Sequence, residues 1–292
     1  MGIRVRPASD EGEAAKFVAA LNIHRTNHIG FCGTDEKEIR HALEHGFSDS
    51  GFEQSFFVAE NEGRIVGAVG FDIDSDEGAA EVWGPFVSED LPFKKVAMSM
   101  WSETIAALEG VRTFRFFVNE ENTDVSSMVE SIGAIHTGRH LILRVQAGAV
   151  NPGNSQAIPA EEPHEKEFRA MHARAFPGTY LSADEILELL DDNHRLFVIP
   201  DGEAGVKGYV YTEADPIHGE GSIGFLAVGE AYRRQGLATA LLQAGLGELF
   251  RHEPIREVRL TVGEENGAAV GLYEAAGFER IHRMNAYRLD LD

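Results

Sequence analysis

An α/β fold laid down twice in tandem, each copy a mixed central sheet flanked by helices, is what this sequence predicts. Three observations lead there. Val118-Asn119-Glu120-Glu121-Asn122 and Val262-Gly263-Glu264-Glu265-Asn266 stand 144 residues apart, and without a gap Glu130 then meets Glu274, Gly133 meets Gly277 and Arg139 meets Arg283. Upstream, Phe57-Val58, a turn and Ile65-Val66-Gly67 match Phe197-Val198, a turn and Val206-Lys207-Gly208 in the same order. Between the copies, residues 147–157 are small, polar and broken by Gly and Pro, as a linker is. The expected division is residues 1–146, a linker at 147–157, and residues 158–292.

The elements of the second copy can be read in order. Residues 163–175 have a helical pattern, and Ser182-Ala183-Asp184-Glu185 is a capping box opening a helix over Ile186–Leu190. Leu196–Ile199 and Gly208–Thr212 are short strands joined through the turn Pro200-Asp201-Gly202. Ser222–Val228 is a largely apolar strand. Leu237–Phe250 is a helix whose leucines at 237, 241, 242, 246 and 249 share a face. Glu257–Val262 alternates like a strand, Asn266 caps a further helix, and Gly277 ends it before the final strand.

Composition narrows the function classes. Acidic residues outnumber basic ones 48 to 26, a formal net charge of −22, which repels nucleic-acid phosphates and anionic lipid heads but not a cationic amine. No apolar run approaches the length of a membrane span. The N-terminal residues lack a signal-peptide core, and Arg6 stands where an N-myristoylation signal wants Ser or Thr. The single cysteine, Cys32, permits no internal disulfide. A cytoplasmic protein, partnered by neither nucleic acid nor membrane, is expected; the oligomeric state is left open.

The chemistry concentrates in Val228-Gly229-Glu230-Ala231-Tyr232-Arg233-Arg234-Gln235-Gly236-Leu237-Ala238-Thr239. A strand passes through a basic loop with a glycine directly into a helix start. The unpaired N–H groups and the dipole of that first turn suit a pyrophosphate. Gly236 and Ala238 leave the backbone approachable, and Arg233 and Arg234 add positive charge. Taken alone, the same segment also reads as a tight turn with two solvated arginines.

A second segment, Asn266-Gly267-Ala268-Ala269-Val270-Gly271-Leu272-Tyr273-Glu274-Ala275-Ala276-Gly277-Phe278, follows further along the chain. Together the two resemble the motifs of the GCN5-related N-acetyltransferase (GNAT) superfamily. The first fits Arg/Gln-x-x-Gly-x-Gly/Ala at Arg233, Gly236 and Ala238. The second fits Asn-x-x-Ala-x-x-Leu-Tyr-Glu-x-x-Gly-Phe at Asn266, Ala269, Leu272, Tyr273, Glu274, Gly277 and Phe278. The resemblance covers residues 158–292 well and residues 1–146 in outline, as a tandem pair of GNAT-like domains with a degenerate first copy.

Several expectations follow from the resemblance. Each central sheet is splayed, with acetyl-CoA, the acyl donor, lodged between two parting strands. Leu226, Ala227 and Val228 contact the pantetheine, Arg233, Arg234, Gln235, Gly236, Leu237, Ala238 and Thr239 hold the pyrophosphate, and Asn266 touches the cofactor. Tyr273 lies against the sulfur and protonates the departing thiolate. The acceptor is a small-molecule or peptide amine that attacks directly in a ternary complex. Its proton goes to a base of no fixed position: Glu220 is the first choice, and Glu213 and His218 flank the same connection. The rival function is a non-catalytic acyl-CoA-binding or sensing protein.

The first copy departs from the pattern. At the strand-end correspondence of Val87 with Val228, Pro92 stands at Arg233, Lys95 at Gly236 and Ala97 at Ala238, and the 144-residue offset puts Val129 at Tyr273. Proline removes an N–H and lysine blocks the close approach. His24, His28 and Cys32 fall four residues apart, a spacing that metal ligands can have, but Gly30 and Gly33 interrupt the helix this would need, so no metal is expected. Tyr180, before the capped helix, reads equally as an acceptor contact or as part of a plain turn.

Overall fold

The computed structural model describes residues 2–148 and 156–291. Most of the expected linker, 149–155, lies outside the described residues. The chain divides into two compact units, Met1–His140 with His282–Asp292, and Leu141–Ile281.

The first unit contains β1 (Arg4–Pro7), α1 (Glu11–Asn22), α2 (Glu36–Glu44), α3 (Phe52–Ser55), β2 (Phe56–Asn61), β3 (Arg64–Asp74) and β4 (Ala79–Val87). It continues with α4 (Phe93–Thr104), β5 (Thr113–Asn119), α5 (Thr123–Ser131) and the start of β6 (Ile135–Gln146). The second unit takes the end of β6, then β7 (Ile158–Pro159), α6 (Glu165–Ala175), α7 (Ala183–Leu189), β8 (His194–Asp201) and β9 (Gly205–Asp215). After these come β10 (Glu220–Val228), α8 (Leu237–Leu249), β11 (Glu257–Gly263), α9 (Gly267–Ala275) and β12 (Glu279–Asp290), whose last residues return to the first unit.

The units follow the sequence repeat except at its final strands, which change places. Met284 to Asp290 of β12 pair antiparallel with Asn119 to Thr113 of β5, and Tyr287 and Leu289 enter the first core. In the second unit β6 neighbours β11, and Leu141, Leu143 and Val145 alternate into its core, period two as a strand requires. Strand order is β1-β2-β3-β4-β5-β12 in the first unit and β6-β11-β10-β9-β8-β7 in the second. Each sheet is mixed: β4–β5 and β10–β11 run parallel, and β2–β3–β4 and β8–β9–β10 antiparallel.

The local signals hold. Ser182 accepts from the Glu185 N–H at 3.2 Å while the Glu185 carboxylate accepts from the Ser182 N–H at 2.7 Å. The caps repeat with the sequence: Asn122 accepts from Val125 N–H and Asn266 from Ala269 N–H, both at 3.2 Å. Among the described residues, no helix is long and apolar enough to cross a membrane.

One group in the first sheet links packing to pH. Glu81 on β4 faces Asp72 on β3 and Arg115 on β5, and Arg115 is paired with Glu77 at 2.6 Å. Burial first, then repulsion from Asp72, pushes Glu81 up to about 7. A carboxyl whose folded value is raised keeps its proton in the native state longer than in the unfolded chain. Its burial therefore costs stability as pH climbs from the ordinary glutamate range through 7. The loss is expected to be about 1–3 kcal/mol after screening. Glu81→Gln should flatten this dependence and raise the melting temperature at pH 8 but not at pH 5, as thermal unfolding at the two values will show.

Candidate active site

The site is built on β9 and β10. Tyr209 and Tyr211 point to one face of β9, where they pack with Phe168 and Met171 of α6. Val210 points to the other, with Leu241, Leu242 and Leu246 of α8. Along β10 the pairing jumps from Ile223–Thr212 to Phe225–Tyr211, leaving Gly224 as an extra residue. This bulge resets the alternation. Ile223 belongs to the α8 core, but Phe225 and Ala227 turn to the α6 side.

β10 and β11 then part. Their parallel pairing runs only from Glu220–Glu257 to Ser222–Arg259, although β10 continues to Val228 and β11 to Gly263. The Gly229 N–H donates to the Lys207 carbonyl at 2.9 Å, which fixes the direction of the preceding peptides. By strand alternation the N–H and C=O groups of Leu226 and Val228 face away from β9, toward the gap. The Arg233 Nε reaches across the loop to the Val228 carbonyl at 3.4 Å.

At the end of β10 the chain curls into α8. Arg234 and Gly236 have φ of 60° and 76°, and no side chain caps the helix. The first backbone bond into it is Ala240 N–H to the Gly236 carbonyl, 3.1 Å, so the first-turn amides lie ahead of the ladder. A side chain at Gly236 would meet open space, so the left-handed backbone, not crowding, selects glycine. Arg233, Arg234, Gln235, Gly236 and Thr239 are exposed, Ala238 is half-buried, and Leu237 is anchored in the core.

Tyr273 on α9 is 8% exposed and shares that core with Leu237 and Val270, while Leu226 and Val228 pack against it. Its ring meets Phe278 edge-on, centroids 5.6 Å apart. Burial pushes its phenol up to about 12, so it carries its proton throughout the neutral range. The helix that positions it starts at the Asn266 cap.

Glu220 lies elsewhere. It occupies the first position of β10, where β11 is still paired, and Arg259 grips its carboxylate at 3.0 Å while also holding Glu257 at 2.7 Å. His218 is hydrogen-bonded to Asp215 at 2.7 Å. Glu213 is different. A Cβ added to Gly224 would stand 2.9 Å from a Tyr211 ring carbon, 3.3 Å from the Tyr180 hydroxyl and 3.4 Å from Glu213 Oε1, so these three side chains converge on the bulge. Burial raises the Glu213 carboxyl above the usual glutamate range, against the opposing pull of His194 and the two phenols. The Tyr211 hydroxyl is buried without a hydrogen bond of regular geometry. Tyr180 lays its ring on Phe225, centroids 5.2 Å apart and 24° between planes, yet is 66% exposed.

The bulge and the Glu213–Tyr211 pair had only a faint sequence signal. Tyr209-Val210-Tyr211-Thr212-Glu213, taken at period two, puts both phenols and the carboxylate on one face. Glycine at 224 inside an apolar strand is a bulge cue.

The first unit preserves the scaffold and loses the contacts. β4 and β5 pair only from Ala79–Thr113 to Glu81–Arg115, and Ser88 N–H donates to Val66 as Gly229 does to Lys207. In that register Pro85 stands at Leu226 and has no N–H to offer, and Trp83 stands at Gly224. α4 opens at Phe93, three residues before the equivalent of Leu237, without a left-handed glycine. Of the His24, His28 and Cys32 set, His28 Nδ1 contacts the Asn22 carbonyl at 2.9 Å and the Cys32 sulfur lies 3.3 Å from the Asn22 amide. Burial pushes the Cys32 thiol up. Among the described residues, no group of three or more His, Cys, Asp and Glu side chains is placed to hold a metal ion.

A mixed sheet whose middle strands part beside an uncapped helix start defines the class: the GNAT-type α/β fold that the sequence motifs pointed to. Residues 165–278 match the Acetyltransferase (GNAT) family, and the chain carries a GNAT acetyltransferase domain there. N-alpha-acetyltransferase 30 of Saccharomyces cerevisiae is 34% identical over 101 residues, 32% of this chain and 57% of its own length. The chain thus spans little more than half of that relative. Two solved structures resemble the chain along nearly its full length. A GCN5-related N-acetyltransferase from Sphaerobacter thermophilus has a TM-score of 0.77 at 17% identity, covering 99% of this chain and 95% of its own. A tandem GNAT protein from the clavulanic acid biosynthesis pathway has a TM-score of 0.68 at 15% identity, with 99% and 98% covered. At such identities the likeness is one of fold.

Asn266→Ala should remove the α9 cap and cost about 1 kcal/mol. Thermal unfolding should show the loss, and Asn266→Asp should restore most of it.

Proposed function

We propose that the chain is an acetyl-CoA-dependent N-acetyltransferase whose second unit binds the donor and passes its acetyl group directly to an amine in a ternary complex. The observation that carries this reading is the parting of β10 from β11 beside the uncapped start of α8. Backbone groups of Leu226 and Val228 face the gap and offer sheet-like bonds to the two amides of a pantetheine arm. The first-turn amides of α8, with Arg233 and Arg234, suit the diphosphate. The residues present therefore fit the donor.

Tyr273 fits the acid. It is protonated at neutral pH, and a thiolate leaving beside it would take its proton. A backbone N–H at the parting strands would stabilise the oxyanion of the attacked carbonyl. For Glu220 to serve as base, its bond to Arg259 would have to break. The first unit, with Pro85 and Trp83 at the corresponding positions, is assigned a supporting role and not donor binding.

The yeast relative bears the name N-alpha-acetyltransferase 30, and that makes a peptide N-terminus one acceptor worth assaying beside small amines. The alternative of a CoA sensor without turnover predicts binding with no thiol release by any amine.

Two substitutions test the reading. Tyr273→Phe should keep CoA affinity within about twofold and lower the rate of thiol release by about 100-fold or more. Gly236→Glu places a carboxylate where the diphosphate would sit and a side chain on a left-handed backbone. Titration calorimetry should find CoA binding weakened by at least about 100-fold. Unchanged affinity would refute the proposed donor site.

A further inference from the structure

The aromatic and acidic cluster at the β10 bulge lies outside the donor site proposed above. Gly224 supplies no side chain, and its neighbours close around it: the half-buried Glu213 carboxylate and the exposed Tyr180 phenol, lying over the buried Tyr211 and Phe225 rings. The bulge directly precedes Leu226, where the backbone begins to face the gap. A group seated on this cluster is therefore within a few residues of the donor strand.

The surrounding charge is one-sided. His194, opposite Glu213 on β8, is bonded to Asp191 at 2.8 Å, and His218 to Asp215 at 2.7 Å. Arg259 holds Glu220 and Glu257, and Arg195 lies 3.7 Å from Glu248. On the α6 side, His172 is bonded to the Tyr209 hydroxyl and the Leu181 carbonyl. On β10, the residue opposite Glu213 is the uncharged Ser222. Each of these nearby basic side chains already has an acidic or polar partner, while Glu213 is left facing two phenols.

Resting on the transferase reading above, we propose that Glu213 seats the acceptor as an ammonium and removes its proton. The acceptor is then a primary amine with an apolar or aryl body and no carboxylate on the nitrogen-bearing carbon. An ammonium suits the carboxylate and the exposed Tyr180 ring. An adjacent substrate carboxylate would meet Glu213 without a compensating cation, and like charges brought together cost several kcal/mol. The exposed Tyr180 ring and the buried Phe225 ring suit the apolar body.

The step balances. Glu213 accepts one ammonium proton, and the freed nitrogen lone pair forms the C–N bond to the acetyl carbonyl carbon. The C–S bond breaks with its electron pair on sulfur, which takes the Tyr273 proton. The nitrogen loses a second proton as the amide forms, which restores Tyr273, and Glu213 gives its own to solvent. The products are the N-acetyl amine, the CoA thiol and one proton. Because Glu213 works ionised and is raised by burial, activity should fall as pH drops through a value above the ordinary glutamate range.

Three amines with one aryl body test this in the full chain: phenethylamine, phenylalaninamide and phenylalanine, with thiol release from acetyl-CoA as the readout. At least one of the first two should exceed phenylalanine by at least about 100-fold in kcat/KM. Preference for the amide points to a peptide N-terminus, and preference for phenethylamine to a free arylalkylamine. Glu213→Gln should lower kcat/KM by at least about 100-fold and erase the acid limb of the pH profile, with CoA affinity unchanged. Tyr180→Phe, at an exposed position, should raise KM for the amine several-fold and leave KM for acetyl-CoA as it was. Phenylalanine used as well as the other two, or an acid limb that survives Glu213→Gln, overturns the assignment while leaving the transferase intact. Release with no amine, in protein that binds CoA, overturns the transferase reading and this one with it.

Discussion

Everything in the second unit turns on one interrupted ladder. Two parallel strands that stayed paired would satisfy each other's peptides and leave nothing for a ligand. Here β10 and β11 share only three register positions. Beyond Ser222 the backbone of β10 stays bonded to β9 on one edge and presents its other edge to the gap. Peptide groups left out of a ladder need other partners, and for this reason the proposed donor site is placed in this gap. Leu237 and Tyr273 lie in the core against which Leu226 and Val228 of that strand pack.

Local chemistry was legible in the sequence because its causes are local. The capping box at Ser182 and Glu185, the Asn266 cap and the glycine opening α8 each depend on residues within one turn. Their motif order was enough to point to the family and fold. The strands were found slightly short: β9 extends from Gly205 to Asp215 where the pattern had suggested Gly208–Thr212. Ladder pairing carries a strand past the residues whose own character announces it.

What the sequence hid depends on partners far along the chain. Glu220 looked available beside its strand, and nothing nearby revealed that Arg259 would hold it. Glu213 acquires its setting from Tyr180, 33 positions earlier, and from a bulge that a single glycine only hints at. The grouping of β12 with β5 was equally invisible, since the repeat assigns each final strand to its own copy. In the first unit, the loss of motif residues was apparent, but the meaning of Pro85 emerged only once strand pairing showed the Leu226 peptide to face the gap.

The placement of β12 has a consequence for how the polypeptide can be divided. Its closing residues furnish the antiparallel neighbour of β5 and lend Tyr287 and Leu289 to a core otherwise encoded before position 141. Severing the molecule at the midpoint of its gene would strip the amino-terminal piece of a border strand, exposing a raw sheet margin prone to sticking to its neighbours. The duplication visible in the letters is thus no longer a pair of separable modules: each half was copied as a unit but is completed by the other.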